Sequence, residues 1–260
     1  MPTVRLNASE IAIITGHNTY QNISDIKEKI LIRNRLKQGI LIKNDIQKKL
    51  LSIQDEQILK DIKKELKLPN NTTKKELEKH IHKTYIVPLT TTKKEQDSHK
   101  QLDSILQSLP VTKKILSSSA YSDLIKKRGN VNEKKSLDTS EKKNKIKITE
   151  RNDVLYQKCL FKNDNCTIIL QGKIDGMLNN DTVVESKNRA RRLFYKIPNY
   201  EKVQLEAYLY LTETEKALHI ENFNETTNES YYYHNENFWN ECKEKIIQFT
   251  IQMISELSSE

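Results

Sequence analysis

The chain has 260 residues, 36% hydrophobic and 30% charged, with a formal net charge of +9, which allows one large domain or two small ones with a real core. No window approaches the ~18 consecutive apolar residues of a membrane span, and the N-terminus has no apolar signal segment, so membrane spanning and secretion are disfavoured. Three cysteines, Cys159, Cys166 and Cys242, make an odd count without CxxC spacing; this speaks against zinc and disulfides and for a soluble, intracellular protein of cytoplasm or nucleus.

Residues 7–15 read as a short helix that Asn7 or Ser9 caps, with Ile11, Ala12 and Ile14 apolar and Gly16 ending it. From Ser24 to about Arg128 the pattern is helical, because Ile and Leu recur three or four residues apart among Lys, Glu and Gln. Helices are expected near 24–36, 41–51, 55–67, 73–84, 95–107 and 111–127, with breaks at Gly39, Pro69-Asn70-Asn71, Pro88 and Pro110. No fixed period repeats, which argues against a solenoid. A further helix over 130–139 and a charged linker over 140–147 come next. Residues 113–147 hold eleven Lys/Arg against four Asp/Glu, a net +7. Such a run can be a solvated face; beside a phosphoryl-transfer site it fits a polyanion partner.

The texture then changes to strands over 153–161, 166–175 and 182–187. Pro198 opens a helix to about Leu211, and strands follow at 216–222 and 229–234. The last helix carries Trp239, Cys242, Ile246, Phe249 and Met253 on one stripe, the pattern of a helix packed on a sheet.

Residues 171–187 are the most informative stretch. A hairpin symmetrical about Asn180 sets Asp175 opposite Glu185 and Lys173 opposite Lys187. Alternation puts Glu185 and Lys187 on one face and Val184 and Ser186 on the other. Two carboxylates that close repel unless a cation lies between them or one holds a proton. A hard divalent ion with oxygen ligands, Mg²⁺ or Mn²⁺, resolves the repulsion and leaves the lysine beside it, the outline of a phosphodiester-cleaving site. The alternative is an ordinary hairpin with a surface ion pair. Val183-Val184 before Glu185, and the scarce glycines Gly172 and Gly176 about Asp175, favour the site. In the next helix Tyr200, Gln204 and Tyr208 recur every four residues and share a face. Gln204 could fix a phosphate or the lysine by hydrogen bonding, and Tyr208 could do likewise or stack; the alternative is a helix whose tyrosines are half buried against the sheet.

Taken together, Asp175, Glu185-Ser186-Lys187 and Gln204-x-x-x-Tyr208 resemble the PD-(D/E)XK nuclease superfamily. More narrowly they are similar to the lambda-exonuclease or YqaJ-type viral recombinase nucleases. Arg128-Gly129-Asn130-Val131-Asn132-Glu133 resembles the helix bearing that family's first acid, which maps to Glu133. Asn7-Ala8-Ser9-Glu10, with Gly16 and Tyr20, resembles its N-terminal signature, whose serine contacts a DNA phosphate. The resemblance covers roughly 1–22 and 126–258 and implies an α/β (α+β) fold. It has a restriction-endonuclease-like core, a mixed sheet flanked by helices, preceded by a large N-terminal helical region. Residues 1–22 would belong to the nuclease domain, 23–127 would form a helical region that is partly an insertion, and 128–260 the nuclease core.

The activity so implied is metal-dependent hydrolysis of DNA, with an exonuclease acting on duplex ends in recombination, repair or viral replication favoured. A structure- or site-specific endonuclease of the same fold and a catalytically inactive DNA-binding protein are the alternatives. Asp175, Glu185, the Ser186 backbone carbonyl and Glu133 would bind Mg²⁺ or Mn²⁺, with Lys187 and Gln204 completing the catalytic set. Ser9, Arg128, Arg189, Arg191, Arg192 and Tyr208 would contact nucleic acid. Homo-oligomerisation and a recombination partner protein are further implications of the resemblance; a membrane partner is not.

Overall fold

At the N-terminus Val4, Leu6 and Ala8 point inward while Arg5 and Ser9 face out, a period of two that makes a strand. The computed structural model, which describes residues 2–257 apart from Lys93, accordingly has β1 (Thr3–Asn7) followed by a single-turn α1 (Ile11–Ile14). This corrects the helix expected over 7–15: the polar residues read as its cap are the end of a strand and the turn after it.

α2 (Ile23–Arg33) is capped by the Asn22 side chain and buries Ile26, Ile30 and Leu31 against the sheet core. The next helices are α3 (Asp45–Ser52), α4 (Glu56–Glu65), α5 (Lys74–Ile81) and α6 (Glu95–Gln107). With the first half of α7 (Pro110–Asn144) they enclose a separate cluster that includes Ile46, Leu50, Ile62, Leu77, Leu102, Leu116 and Leu124. A π turn (His82–Ile86) and a 3-10 turn (Val87–Thr91) bridge α5 and α6 around Pro88.

α7 replaces two expected helices and most of the expected linker. It runs 35 residues through Gly129, although glycine inside a helix costs about 1 kcal/mol against alanine. Burial at both ends offsets that cost. Leu116, Ala120 and Leu124 enter the helical cluster, while Leu137 packs under the sheet with Ile148, Leu178, Val184, Leu218 and Ile220.

The expected strand over 166–175 ends at Gly172, and the first strand of the hairpin is a separate one that starts at Gly176 in another sheet. β4 (Thr167–Gly172) lies between β1, parallel to it, and β3 (Tyr156–Lys162), antiparallel. β5 (Gly176–Leu178) belongs to a five-stranded sheet of order β2-β5-β6-β7-β8. Its other members are β2 (Ile148–Thr149), β6 (Thr182–Asn188), β7 (Lys216–Phe223) and β8 (Thr226–Tyr233). β6 and β7 are parallel, joined by α8 (Asn199–Thr212), which begins after Pro198 as expected. α8 packs on both sheets, and α9 (Glu236–Leu257) sets Trp239, Cys242, Ile246 and Met253 into the same core. A mixed α/β core flanked by helices, with a large N-terminal helical region, is the fold expected. Among the described residues no helix is long and apolar enough to cross a membrane.

Candidate active site

The β5–β6 turn forms because Asn179 and Asn180 take left-handed backbone (φ 53° and 60°), which asparagine tolerates better than most residues. The register is the expected one: Leu178 pairs with Thr182, Met177 with Val183 and Gly176 with Val184. Asp175 is the next residue, just outside the ladder, and its Oδ2 accepts the backbone N–H of Ser186 at 2.8 Å. Lys173 does not continue the pairing; its Nζ donates to the Asn152 carbonyl at 3.3 Å, away from Lys187. The flanking glycines answer to protein packing. A Cβ on Gly176 would fall 2.3 Å from Ile148 Cγ2, and one on Gly172 would fall 2.9 Å from Tyr208 Cε1.

Glu185 is 3% exposed. Its Oε1 pairs with Lys187 Nζ, and its Oε2 is buried without a hydrogen-bond partner. Lys187 Nζ also donates to Gln204 Oε1 at 3.0 Å, and Gln204 Nε2 donates to the Tyr208 hydroxyl at 2.9 Å. The amide of Gln204 is thereby oriented from both sides. Val184 and Ser186 point the other way, Val184 into the cluster with Leu218 and Ile220.

Glu133 comes from α7 and accepts Asn152 Nδ2 at 3.3 Å. Its helix is tied down on both sides. Just after it, Ser136 Oγ donates to Asn188 Oδ1 at the end of β6 at 2.9 Å. Before it, Arg128 Nη1 donates to the carbonyls of Leu89, at 3.0 Å, and Thr92, at 2.8 Å.

Burial first, then the charges of Glu185 and Glu133, push the Asp175 carboxyl well above the usual range. Burial and the Glu185 charge likewise raise Glu133, against the hydrogen bond from Asn152. Burial alone would lower the Lys187 ammonium, but the carboxylates of Glu185, Asp175 and Glu201 together more than compensate and the net shift is upward. Burial followed by Glu185 raises the Tyr208 phenol. Three acids thus repel one another around one ammonium group.

Two of the expected DNA-binding arginines face inward, which corrects those assignments. Arg128 is 3% exposed and holds the segment around Thr90. Arg189 grips Glu201 with both Nη atoms, at 2.5 and 2.8 Å, and donates from Nε to Glu221 at 2.6 Å, while its guanidinium stacks on Phe194. Glu201 also meets His219 Nε2 at 2.9 Å. This buried ionic layer between α8 and β6–β7 continues the Glu185–Lys187 face and was missed from sequence. Its signal was the alternation itself, since Glu185, Lys187 and Arg189 share a face, as do His219 and Glu221 on β7. Arg191, Arg192 and Ser9 are exposed.

No three His, Cys, Asp or Glu side chains among the described residues are grouped to hold a metal by themselves. A divalent cation nonetheless suits the donors present. A buried carboxylate oxygen with no partner is costly, and Glu185 Oε2 is such an atom beside a second, raised carboxyl. Hard cations accept a mixed set of carboxylate, carbonyl and water oxygens.

No protein-family profile matches the chain, and no curated protein matches it in sequence. Solved structures resemble it in fold. One is an alkaline exonuclease from Laribacter hongkongensis, 11% identical with a TM-score of 0.45 over 67% of this chain and 88% of that one. The same protein in complex with dAMP gives 10% identity and a TM-score of 0.44, again over 67% and 88% of the two chains. A phage-related exonuclease from Haemophilus somnus is 11% identical with a TM-score of 0.42, over 65% and 89%.

Proposed function

We propose that this chain hydrolyses phosphodiester bonds in DNA with a divalent cation. The observation that carries the reading is Glu185 Oε2, a buried carboxylate oxygen without a partner, set beside Asp175 and an ammonium group. Asp175, Glu185 and the Ser186 backbone carbonyl would hold the ion, with Glu133 as an outer ligand. Bound there, Mg²⁺ or Mn²⁺ would polarise a phosphoryl oxygen and lower the pKa of its water.

The chain's own groups do the rest. Lys187, whose ammonium lies against Glu185 and Gln204, would stabilise negative charge growing on the phosphoryl group. Gln204 sets the direction of that ammonium. The Tyr208 hydroxyl accepts from Gln204 and keeps its own proton free for a phosphate oxygen. Ser9, Arg191, Arg192 and the exposed lysines of α7 would follow the neighbouring phosphates. The resemblance to the lambda-exonuclease type favours an exonuclease acting at duplex ends.

End-labelled linear duplex should be digested with Mg²⁺ and left intact with chelator, while closed circular DNA resists. Digestion of the circle assigns an internal cutter; no digestion of either leaves a DNA-binding protein without activity. Lys187→Ala and Asp175→Ala should each lower the rate by at least ~10²–10³-fold, the scale of losing one transition-state contact, with DNA binding retained. A Lys187→Ala protein that digests at the wild-type rate removes the lysine from the mechanism.

A further inference from the structure

Tyr20, 85% exposed, is the most exposed large apolar side chain among the described residues. It does not sit on a loose tip. Gly16 turns the chain at φ +77°, the Asn18 N–H donates to the Ala12 carbonyl at 2.8 Å, and the Tyr20 N–H donates to Asn18 Oδ1 at 3.0 Å. His17 packs edge-on to Phe238 at 5.3 Å, and Asn22 then caps α2. An aromatic ring presented to water by so many backbone anchors invites a partner for its face.

Its ring neighbour points to what that partner is. Tyr20 meets Tyr200 in a T-shaped pair, with centroids 6.1 Å apart at 89°. Tyr200 heads the row that continues through Gln204 to Tyr208 along α8, and Gln204 bonds Lys187. One helical turn separates Tyr200 from Gln204, about 6 Å along the axis, the span of about two stacked nucleotides. Arg191, Arg192 and Lys196 are exposed in the segment leading into α8, where a phosphate backbone would run.

We propose that Tyr20 and Tyr200 form a stacking platform for an unpaired nucleobase beside the scissile phosphodiester. The preferred substrate is therefore a strand with a frayed or single-stranded end. This rests on the nuclease reading and adds the substrate form to it. Aromatic platforms suit this task because every base offers a π-face, so stacking binds without regard to sequence.

The test measures binding of labelled single strands in chelator by fluorescence anisotropy. One strand has all its bases; others have abasic residues at one end or the other. Wild type should bind the intact strand about tenfold more tightly than the strand abasic at the engaged end, the scale of one base–aromatic stack. Tyr20→Ala should lose that preference, Tyr200→Ala should reduce it, and Tyr20→Phe should keep it. Exposure of Tyr20 makes its variants safe for folding. If Tyr20→Ala retains the wild-type ratio, or wild type binds both strands alike, the platform is overturned while the nuclease reading stands. If wild type binds no single strand, the platform is overturned, and digestion of linear duplex with Mg²⁺ decides the nuclease reading separately.

Discussion

In the helical region a buried acid closes a helix. Asp123 takes the N–H groups of Asp45 and Ile46 at 2.8 and 3.0 Å at the start of α3. Glu65 does the same for Val111 and Thr112 at the start of α7, which has no capping side chain of its own. Around Lys187 and Arg189 the acids divide. Glu201 is gripped by Arg189 and His219, whereas Asp175, Glu185 and Glu133 repel one another and leave one oxygen unpartnered. Satisfied acids stabilise a fold. A repelling set held in place by two sheets and a 35-residue helix does not, and such a conflict with local energetics marks a site.

The largest effect expected from breaking this comparison is at Glu201. Burial opposes its ionisation, but Arg189 and His219 hold its carboxyl down to about 2. A depressed acid contributes stability that is present above its unfolded pKa, near 4.5, and is lost as pH falls towards 2. The contribution is roughly 3 kcal/mol. Urea midpoints measured across that window should fall steeply for wild type and far less for Glu201→Gln, which should also be the weaker protein at neutral pH. Parallel loss in the two proteins places the acid sensitivity elsewhere.

Next in size is Asp123→Ala, which strands two N–H groups at the start of α3 and should cost about 1–3 kcal/mol. Denaturant unfolding gives the loss, and the digestion rate of the folded variant should match wild type. A variant that is stable but slow to digest DNA would link the helical region to the chemistry and dissolve the contrast between the two regions.

Local pattern made part of this legible. The turn at Asn179-Asn180-Asp181 gave the β5–β6 register, alternation put Glu185 and Lys187 on one face, and fourfold spacing put Gln204 beside Tyr208. The stripe from Trp239 to Met253 gave α9 its buried side. Long-range choices were hidden. Nothing local shows that the chain leaves one sheet between Gly172 and Gly176, or that Gly129 sits inside one helix supported at both ends. Arg189 is more instructive. Its residue type suggested phosphate, while the same alternation that placed Lys187 also placed Arg189 inward, where Glu201 and Glu221 meet it.

The smallest predicted effect is also the one that separates stability from function most directly. Asp175 has its carboxyl raised by burial and by two neighbouring acids, the reverse of Glu201. A raised acid loses stability for the fold as pH climbs from its unfolded value through its folded one. The substitution Asp175→Asn removes that charge at every pH, yet leaves an amide oxygen that can still accept the Ser186 N–H. In chelator at pH 7 this variant should therefore melt above wild type, by about 2–4 °C for each kcal/mol of repulsion relieved in a chain of this size. Below the unfolded pKa of an aspartate, ~3.9, the two should melt together, since both side chains are then neutral. The same variant should not digest DNA. Melting below wild type at pH 7 would mean that the Asp175 charge is already balanced within the chain, and the case for a cation between Asp175 and Glu185 would lose its electrostatic basis.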